Sequence, residues 1–182
     1  MKKVIVGVLL MVLSIFVCGC GDNKTAKDAV IQYLEMYRIK DDEIINELDV
    51  YIENENLTDE QKEKYKEILE REYSTLMYEV VNEQYEGNSA IVSVDVTVID
   101  LYKAQKKAAD YFNINSTEFN DENGEYDRSV YMDYKLDMMS KETDTVTYTI
   151  DIKVDKEDDK WKVVQLSNES LEKLHGIYNY EE

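Results

Sequence analysis

Proline is absent from the 182 residues, histidine occurs once, cysteine twice and glycine six times. Without proline, and with so few glycines, no segment has the composition of a flexible linker, and no fixed-period repeat is present. Two cysteines cannot build a disulfide framework. One histidine excludes any site that needs two imidazoles, and the scarcity of both residue types argues against a zinc or other transition-metal centre. No glycine-rich phosphate loop occurs. Basic residues are also short: 21 Lys+Arg stand against 40 Asp+Glu, a net charge of -19. A nucleic acid must be met by clustered Lys and Arg, so none is expected as a partner. What is plentiful is tyrosine, 15 against three Phe and one Trp, within a hydrophobic share of 43% that is enough to form a core.

The chain opens Met1-Lys2-Lys3, followed by an apolar run from Val4 to Val17 and then Val17-Cys18-Gly19-Cys20-Gly21. A basic start, an apolar stretch and a small-residue end make a secretory signal. The run of 14 residues is shorter than the ~20 a membrane span needs. Its end resembles a bacterial lipoprotein signal, in which an aliphatic residue, a small one and Gly or Ala precede a cysteine. That resemblance makes residues 1–19 the signal, Cys20 the lipid-carrying first residue of the mature chain, and residues 20–24 a short polar tether. Multiple acyl chains, at about 0.8 kcal/mol per buried methylene, hold a protein on a membrane where one chain holds it weakly. The expected place is the extracytoplasmic face of the cell membrane. Loss of residues 1–19 removes Lys2 and Lys3 and no acid, taking the net charge from -19 to -21. Such acidity keeps a tethered domain soluble and off anionic lipid.

Residues 25–182 read as one domain. Thr25 and Asp28 have capping-box-like spacing ahead of a stripe of Ala26, Ala29, Val30, Tyr33, Leu34 and Tyr37. Asp41-Asp42 starts a second helix with Ile44, Ile45, Leu48 and Ile52 inward. Thr58 and Gln61 make a capping box for a third, and Tyr65, Ile68, Leu69 and Glu72-Tyr73 follow. The period then changes to two. Leu76 to Tyr85 reads as a strand with both faces mixed, and Glu86-Gly87-Asn88 as a turn. Ala90 to Val98 is a strand with one buried face. Helical spacing returns from Leu101 to Phe112, with Leu101, Gln105, Ala108 and Phe112 on one side. An acidic loop follows from Asn113 to Asp127. Ser129 to Met139 is a further helix, with Val130, Tyr134 and Met138 in a row. Val146 to Val154 alternates cleanly, Asp155 to Lys160 is a charged turn, and Trp161 to Leu166 pairs back. Ser167 or Asn168 caps a closing helix, Glu169 to His175, ended by Gly176. Helices segregated on one face of about four antiparallel strands make an α+β fold.

The lipobox around Cys20, the helix Ala29-Val30-Ile31-Gln32-Tyr33-Leu34, the strand Val94-Asp95-Val96-Thr97-Val98-Ile99-Asp100 leading into a helix, and Asp159-Lys160-Trp161-Lys162-Val163 carry a family resemblance. The chain resembles small lipoproteins of unknown function, exported by Gram-positive bacteria, that have a nuclear-transport-factor-2-like (cystatin-like) domain. The resemblance implies a cone: a curved sheet wrapped on the N-terminal helices. It implies no activity and no site residue.

His175 falls in the last turn of a helix, where a cation meets the negative helix end. In Asp121-Glu122-Asn123-Gly124-Glu125-Tyr126-Asp127 the EF-hand register fails, because Gly124 at position six puts Phe119 at position one and Val130 at position twelve. Neither a metal nor a cofactor is expected. Asp95 and Asp151 lie on the polar phase of their strands, while Asp100, at a strand end, either faces the mouth of the cone or caps the helix from Leu101. Tyr33, Tyr37, Tyr78 and Tyr148 are the candidates to line the cone and present hydroxyls to a ligand. The expected role is non-catalytic binding of a small ligand or an extracytoplasmic protein. Two alternatives stand beside it. An isomerase or hydrolase would need a buried, solvent-connected carboxylate beside a tyrosine. An assembly or immunity protein would show a contiguous apolar patch on the sheet.

Overall fold

The computed structural model describes residues 24–181. The signal segment and Cys20 lie outside the described residues. Helix α1 (Ala26–Ile39) starts at a reciprocal capping box: Thr25 Oγ1 accepts from the Asp28 N–H at 3.1 Å, and the Asp28 carboxylate accepts from the Thr25 N–H at 3.2 Å. Helix α2 (Asp42–Glu53) is capped by Asp41, whose carboxylate accepts from the Glu43 N–H. Helix α3 (Asp59–Thr75) carries the expected Thr58–Gln61 box. Strands β1 (Met77–Glu86) and β2 (Ser89–Ile99) form a hairpin, then come α4 (Leu101–Asn115), a 3-10 turn (Ser116–Phe119) and α5 (Arg128–Lys141). Strands β3 (Thr145–Glu157) and β4 (Lys160–Val163) form a second hairpin, and α6 (Asn168–Leu174) closes the chain.

The sheet is an antiparallel meander in the order β1-β2-β3-β4, although α4 and α5 intervene between β2 and β3. Those two strands pair along their whole length, from Ser89 opposite Asp155 to Ile99 opposite Thr145. Strict alternation gives β2 one buried face, Ala90, Val92, Val94, Val96 and Val98, which meets Tyr148, Ile150, Ile152 and Val154 of β3. Helix α1 lies across that face and touches all four strands. The opposite face is polar. Thr97 and Thr147 share a hydrogen bond at 2.8 Å, Thr149 donates to Asp95 and Ser93 donates to Asp151, both at 2.6 Å.

The mixed faces of β1 have a simple cause. The register shifts between Val80 and Asn82, so one extra residue reverses the alternation midway. Tyr78 and Val80 stand opposite buried-phase residues of β2 before the bulge, Glu83 and Tyr85 after it.

Several boundaries and faces differ from expectation. The turn after β3 is only Asp158-Asp159, both with positive φ, 48° and 62°, as a two-residue type I′ hairpin requires. Strand β4 ends at Val163 and not Leu166: one more bond, from the Val164 N–H to Lys153 O, follows before the chain turns into α6. The loop from Asn113 is partly ordered as the end of α4, the 3-10 turn and an Asn120–Tyr126 bridge. In α4 the buried residues are Leu101, Ala104 and Ala108, with Gln105 and Phe112 only half-buried. In α5 they are Leu136 and Met139, while Val130 is exposed. Helix α5 packs against both α3 and α4, so its apolar residues do not form a single stripe.

Gly176 follows α6 at φ 67°, and a Cβ there would lie 2.1 Å from the Ile99 carbonyl oxygen. Gly87 also has positive φ, 60°, but open space around it. Gly87→Ala is expected to cost about 1 kcal/mol of conformational strain. Gly176→Ala is expected to cost about 3 kcal/mol or more, since backbone must move. Denaturant unfolding of the two variants checks this, and equal losses would refute the docking of Gly176 on β2.

Candidate functional site

The four tyrosines singled out from the sequence fall into two groups. Tyr33 and Tyr37 share a hydroxyl–hydroxyl hydrogen bond at 3.2 Å on α1. Burial pushes the Tyr33 phenol up to about 12. Tyr78 donates from β1 to Glu35 of α1 at 2.5 Å, and burial with that bond pushes it up to about 12. Tyr148 sits apart, donating to the Tyr178 carbonyl at 3.4 Å beside the rings of Tyr178 and Tyr180. None of the four lines either of the two cavities described below.

His175 is not an exposed cation at a helix end. It is 4% exposed, its Nε2 is 2.8 Å from the Tyr73 hydroxyl, and the Tyr51 ring lies 5.1 Å away. Burial holds it down at about 4, so it is neutral at pH 7. The contact between Gly176 and Ile99 turns the last residue of this helix inward, which sequence spacing does not reveal. Of the two roles open to Asp100 the structure shows the cap: it accepts from the Lys103 N–H at 2.9 Å, and it also accepts from the Tyr180 hydroxyl at 3.0 Å.

Glu72 is fully buried, at 0% exposure. Its Oε2 accepts from the Ile99 N–H at 2.8 Å, while Oε1 has no hydrogen-bond partner. Burial therefore pushes its carboxyl up to about 8. The neighbouring Arg71 donates to the carbonyls of Met139, Ser140 and Glu142, tying α3 to the end of α5. Glu72 lines neither cavity, so it clamps α3 to the sheet and does not face solvent. Its place on the third helix was visible in the sequence, but neither its burial nor its partner was. In the acidic loop, Asp121 Oδ1 accepts from the Asn123 and Glu125 N–H groups, which holds it below the usual carboxylate range. Among the described residues no group of three or more ligating side chains could hold a metal ion.

The open space lies among the helices. A cavity of about 180 Å³ is lined by Tyr51, Glu55, Tyr65, Gln105, Lys135 and apolar residues of α5. A more open one of about 400 Å³ lies between α4 and α5 at Tyr102, Lys106, Tyr131 and again Gln105 and Lys135. These two side chains stand where the rooms meet. Lys135 is half-buried, and burial holds its amine below the ordinary lysine range, against the pull of Glu55. Most described lysines are paired with a carboxylate, for example Lys62 with Glu53 and Lys66 with Asp49. Among the described residues Lys24, Lys27, Lys135 and Lys160 are in no salt bridge, and of these only Lys135 is half-buried. An unpaired ammonium in a walled cleft, with an amide and phenols around it, can take an oxygen from a ligand. Sequence reading placed Lys135 in a helix but had no signal for its isolation.

No family model matches the chain, and no curated protein matches it. A solved structure that is similar is that of a candidate lipoprotein (ycdA) from Bacillus subtilis subsp. subtilis strain 168, with 14% identity and a TM-score of 0.48. The match covers 87% of this chain and 57% of that one, so the chain spans little more than half the length of its neighbour.

The buried acid and base make stability depend on pH. Glu72 keeps a proton in the fold up to about pH 8 that the unfolded chain loses near 4.5, so stability falls as pH rises through that window. His175 titrates near 4 in the fold and 6.5 when unfolded, so stability falls as pH drops through that window. The slopes oppose one another between 4.5 and 6.5, where stability should be greatest. From pH 6.5 to 8 a loss on the order of 2 kcal/mol is expected. In Glu72→Gln this loss should disappear, and an unchanged slope in denaturant titrations at pH 6.5 and 8 would show that Glu72 is ionised in the fold.

Proposed function

We propose that the chain is a lipid-anchored extracytoplasmic protein whose single domain binds a small ligand in the cleft between α4 and α5. The anchor is Cys20, after a signal of residues 1–19, with residues 20–24 as tether and 25–182 as the binding domain. Anchor and domain are separable parts of the reading. The observation that carries the binding role is Lys135, half-buried at the meeting of two cavities and unpaired in a chain with 40 acids and 21 bases. An antiparallel meander packed on α1 supports the nuclear-transport-factor-2-like cone as the finer description of the fold. Tyr33, Tyr37, Tyr78 and Tyr148 then shape the packing around α1 and the C-terminal segment, and the ligand room lies to one side of them.

The alternatives find less support. An enzyme of the isomerase or hydrolase kind would use a buried carboxyl beside a tyrosine that opens to a cavity; Glu72 and Asp100 are buried but line neither room, and Glu55, which lines the inner one, is exposed. An assembly or immunity role would use an apolar sheet surface. The outer face presents paired Ser, Thr and Asp, with Met77, Val81 and Ile91 exposed at scattered points.

Two measurements test the proposal separately. Cys20→Ala should release the chain from membranes or leave it as an uncleaved precursor, and unchanged lipid labelling would remove the anchor. Native mass spectrometry of the full chain, purified from its own membranes, should show a small-molecule adduct that Lys135→Met lacks. The same adduct on both proteins would place the ligand elsewhere.

A further inference from the structure

Two side chains of opposite charge line the inner cavity without meeting. Glu55, just past the end of α2, is exposed at the rim, and Lys135 stands half-buried on α5. Glu55 forms no salt bridge among the described residues, and neither does Lys135. Glu55 nevertheless raises the proton affinity of Lys135 by its field, so the two lie beyond contact but within electrostatic reach. Around them the walls are Leu57, Met132, Leu136, Met139 and Ile177, closed by the Tyr51 and Tyr65 rings.

We propose that the cleft takes a small zwitterion with an apolar side chain, an α-amino acid of leucine, methionine or phenylalanine type. This rests on the binding reading of the same cleft and names its ligand. The ligand carboxylate goes to Lys135, its ammonium to Glu55, and its side chain to the methionine and leucine wall. A simple carboxylate would satisfy Lys135 but meet the repulsion of Glu55. A simple amine would meet the reverse. A molecule carrying both signs is opposed by neither and completes a pairing that the fold leaves open. Size agrees: a dry cavity near 150 Å³ holds a benzene ring, and the inner room is about 180 Å³ and shares Gln105 and Lys135 with the larger one. Global charge agrees as well. The mature chain, at -21, repels free anions, whereas a zwitterion with no net charge approaches without that cost.

The test is calorimetric titration of the full chain in detergent with L-phenylalanine and L-methionine, beside 3-phenylpropionate, which lacks the ammonium, and 2-phenylethylamine, which lacks the carboxylate. At least one amino acid should bind, and both half-analogues should bind about tenfold more weakly than phenylalanine or not at all. Lys135→Met and Glu55→Gln should each weaken the amino acid by about tenfold or more with little change in melting temperature. If Lys135→Met does not fold, Lys135→Gln takes its place. Phenylpropionate binding as well as phenylalanine, and lost in Lys135→Met, would overturn the zwitterion while keeping the cleft as a binding site. Binding of none of the four probes overturns the assignment of ligand class, and native mass spectrometry then decides whether the cleft is a site. Binding that both variants retain overturns the location too.

Discussion

The junction at the end of β2 holds the domain together. The Ile99 N–H is taken by the buried carboxyl of Glu72 on α3, and the Ile99 carbonyl is backed by the bare Cα of Gly176. The next residue, Asp100, gives its N–H to the Asp144 carbonyl at 2.8 Å, just before β3, and its carboxylate caps α4. The Gly176 carbonyl accepts from the Tyr102 N–H at 2.7 Å. Five elements, α3, β2, α4, β3 and the C-terminal segment, therefore meet at two consecutive residues. A buried carboxyl is costly unless it is hydrogen-bonded, and here its cost is offset by satisfying a strand-end N–H that would otherwise be orphaned.

That junction also fixes the cleft. Asp100 and the Gly176 contact hold the start of α4, and α5 is held at both ends by α3. Gln61, already part of the cap of α3, donates to Ser129 and to Asp133 at 2.8 Å near the start of α5. Arg71, nearly three turns later on α3, holds the carbonyls at the end of α5. The walls of the cleft are thus positioned by bonds to α3 and to the end of β2 as well as by the packing of α4 on α5. A ligand entering such a space has little ordering cost to meet.

Much of the fold was legible because it is written in local patterns. The caps at Thr25, Thr58, Asp100 and Ser167 are short-range hydrogen bonds between residues two or three apart, and spacing reveals them. The alternation of β2 and β3 follows from one buried face each. What stayed hidden is set by long-range packing. The β1 bulge scrambles its alternation, α5 spreads its apolar residues over two partners, and His175 is buried by a contact 76 residues away in the chain, between Gly176 and Ile99. The candidate site belongs to this second kind. Lys135 and Glu55 look like ordinary solvated charges in sequence, and only the packing of α2, α4 and α5 makes them wall residues. The tyrosines stood out by count, yet their hydroxyls are largely spent on one another and on Glu35, Tyr178 and Asp100.

The acid excess sharpens the meaning of an unpaired lysine. In a chain with nearly two acids per base, surface carboxylates are abundant, and lysines such as Lys103, Lys106 and Lys141 find one at 2.8, 3.1 and 2.5 Å. Each such exposed pair contributes little to stability, about 0–1 kcal/mol. An ammonium drawn partly out of water loses hydration, and a partner at contact distance would offset that loss. Glu55 lines the same room as Lys135 but is not at contact distance, so neither charge is paired within the described chain. A ligand carrying both signs would pair with each.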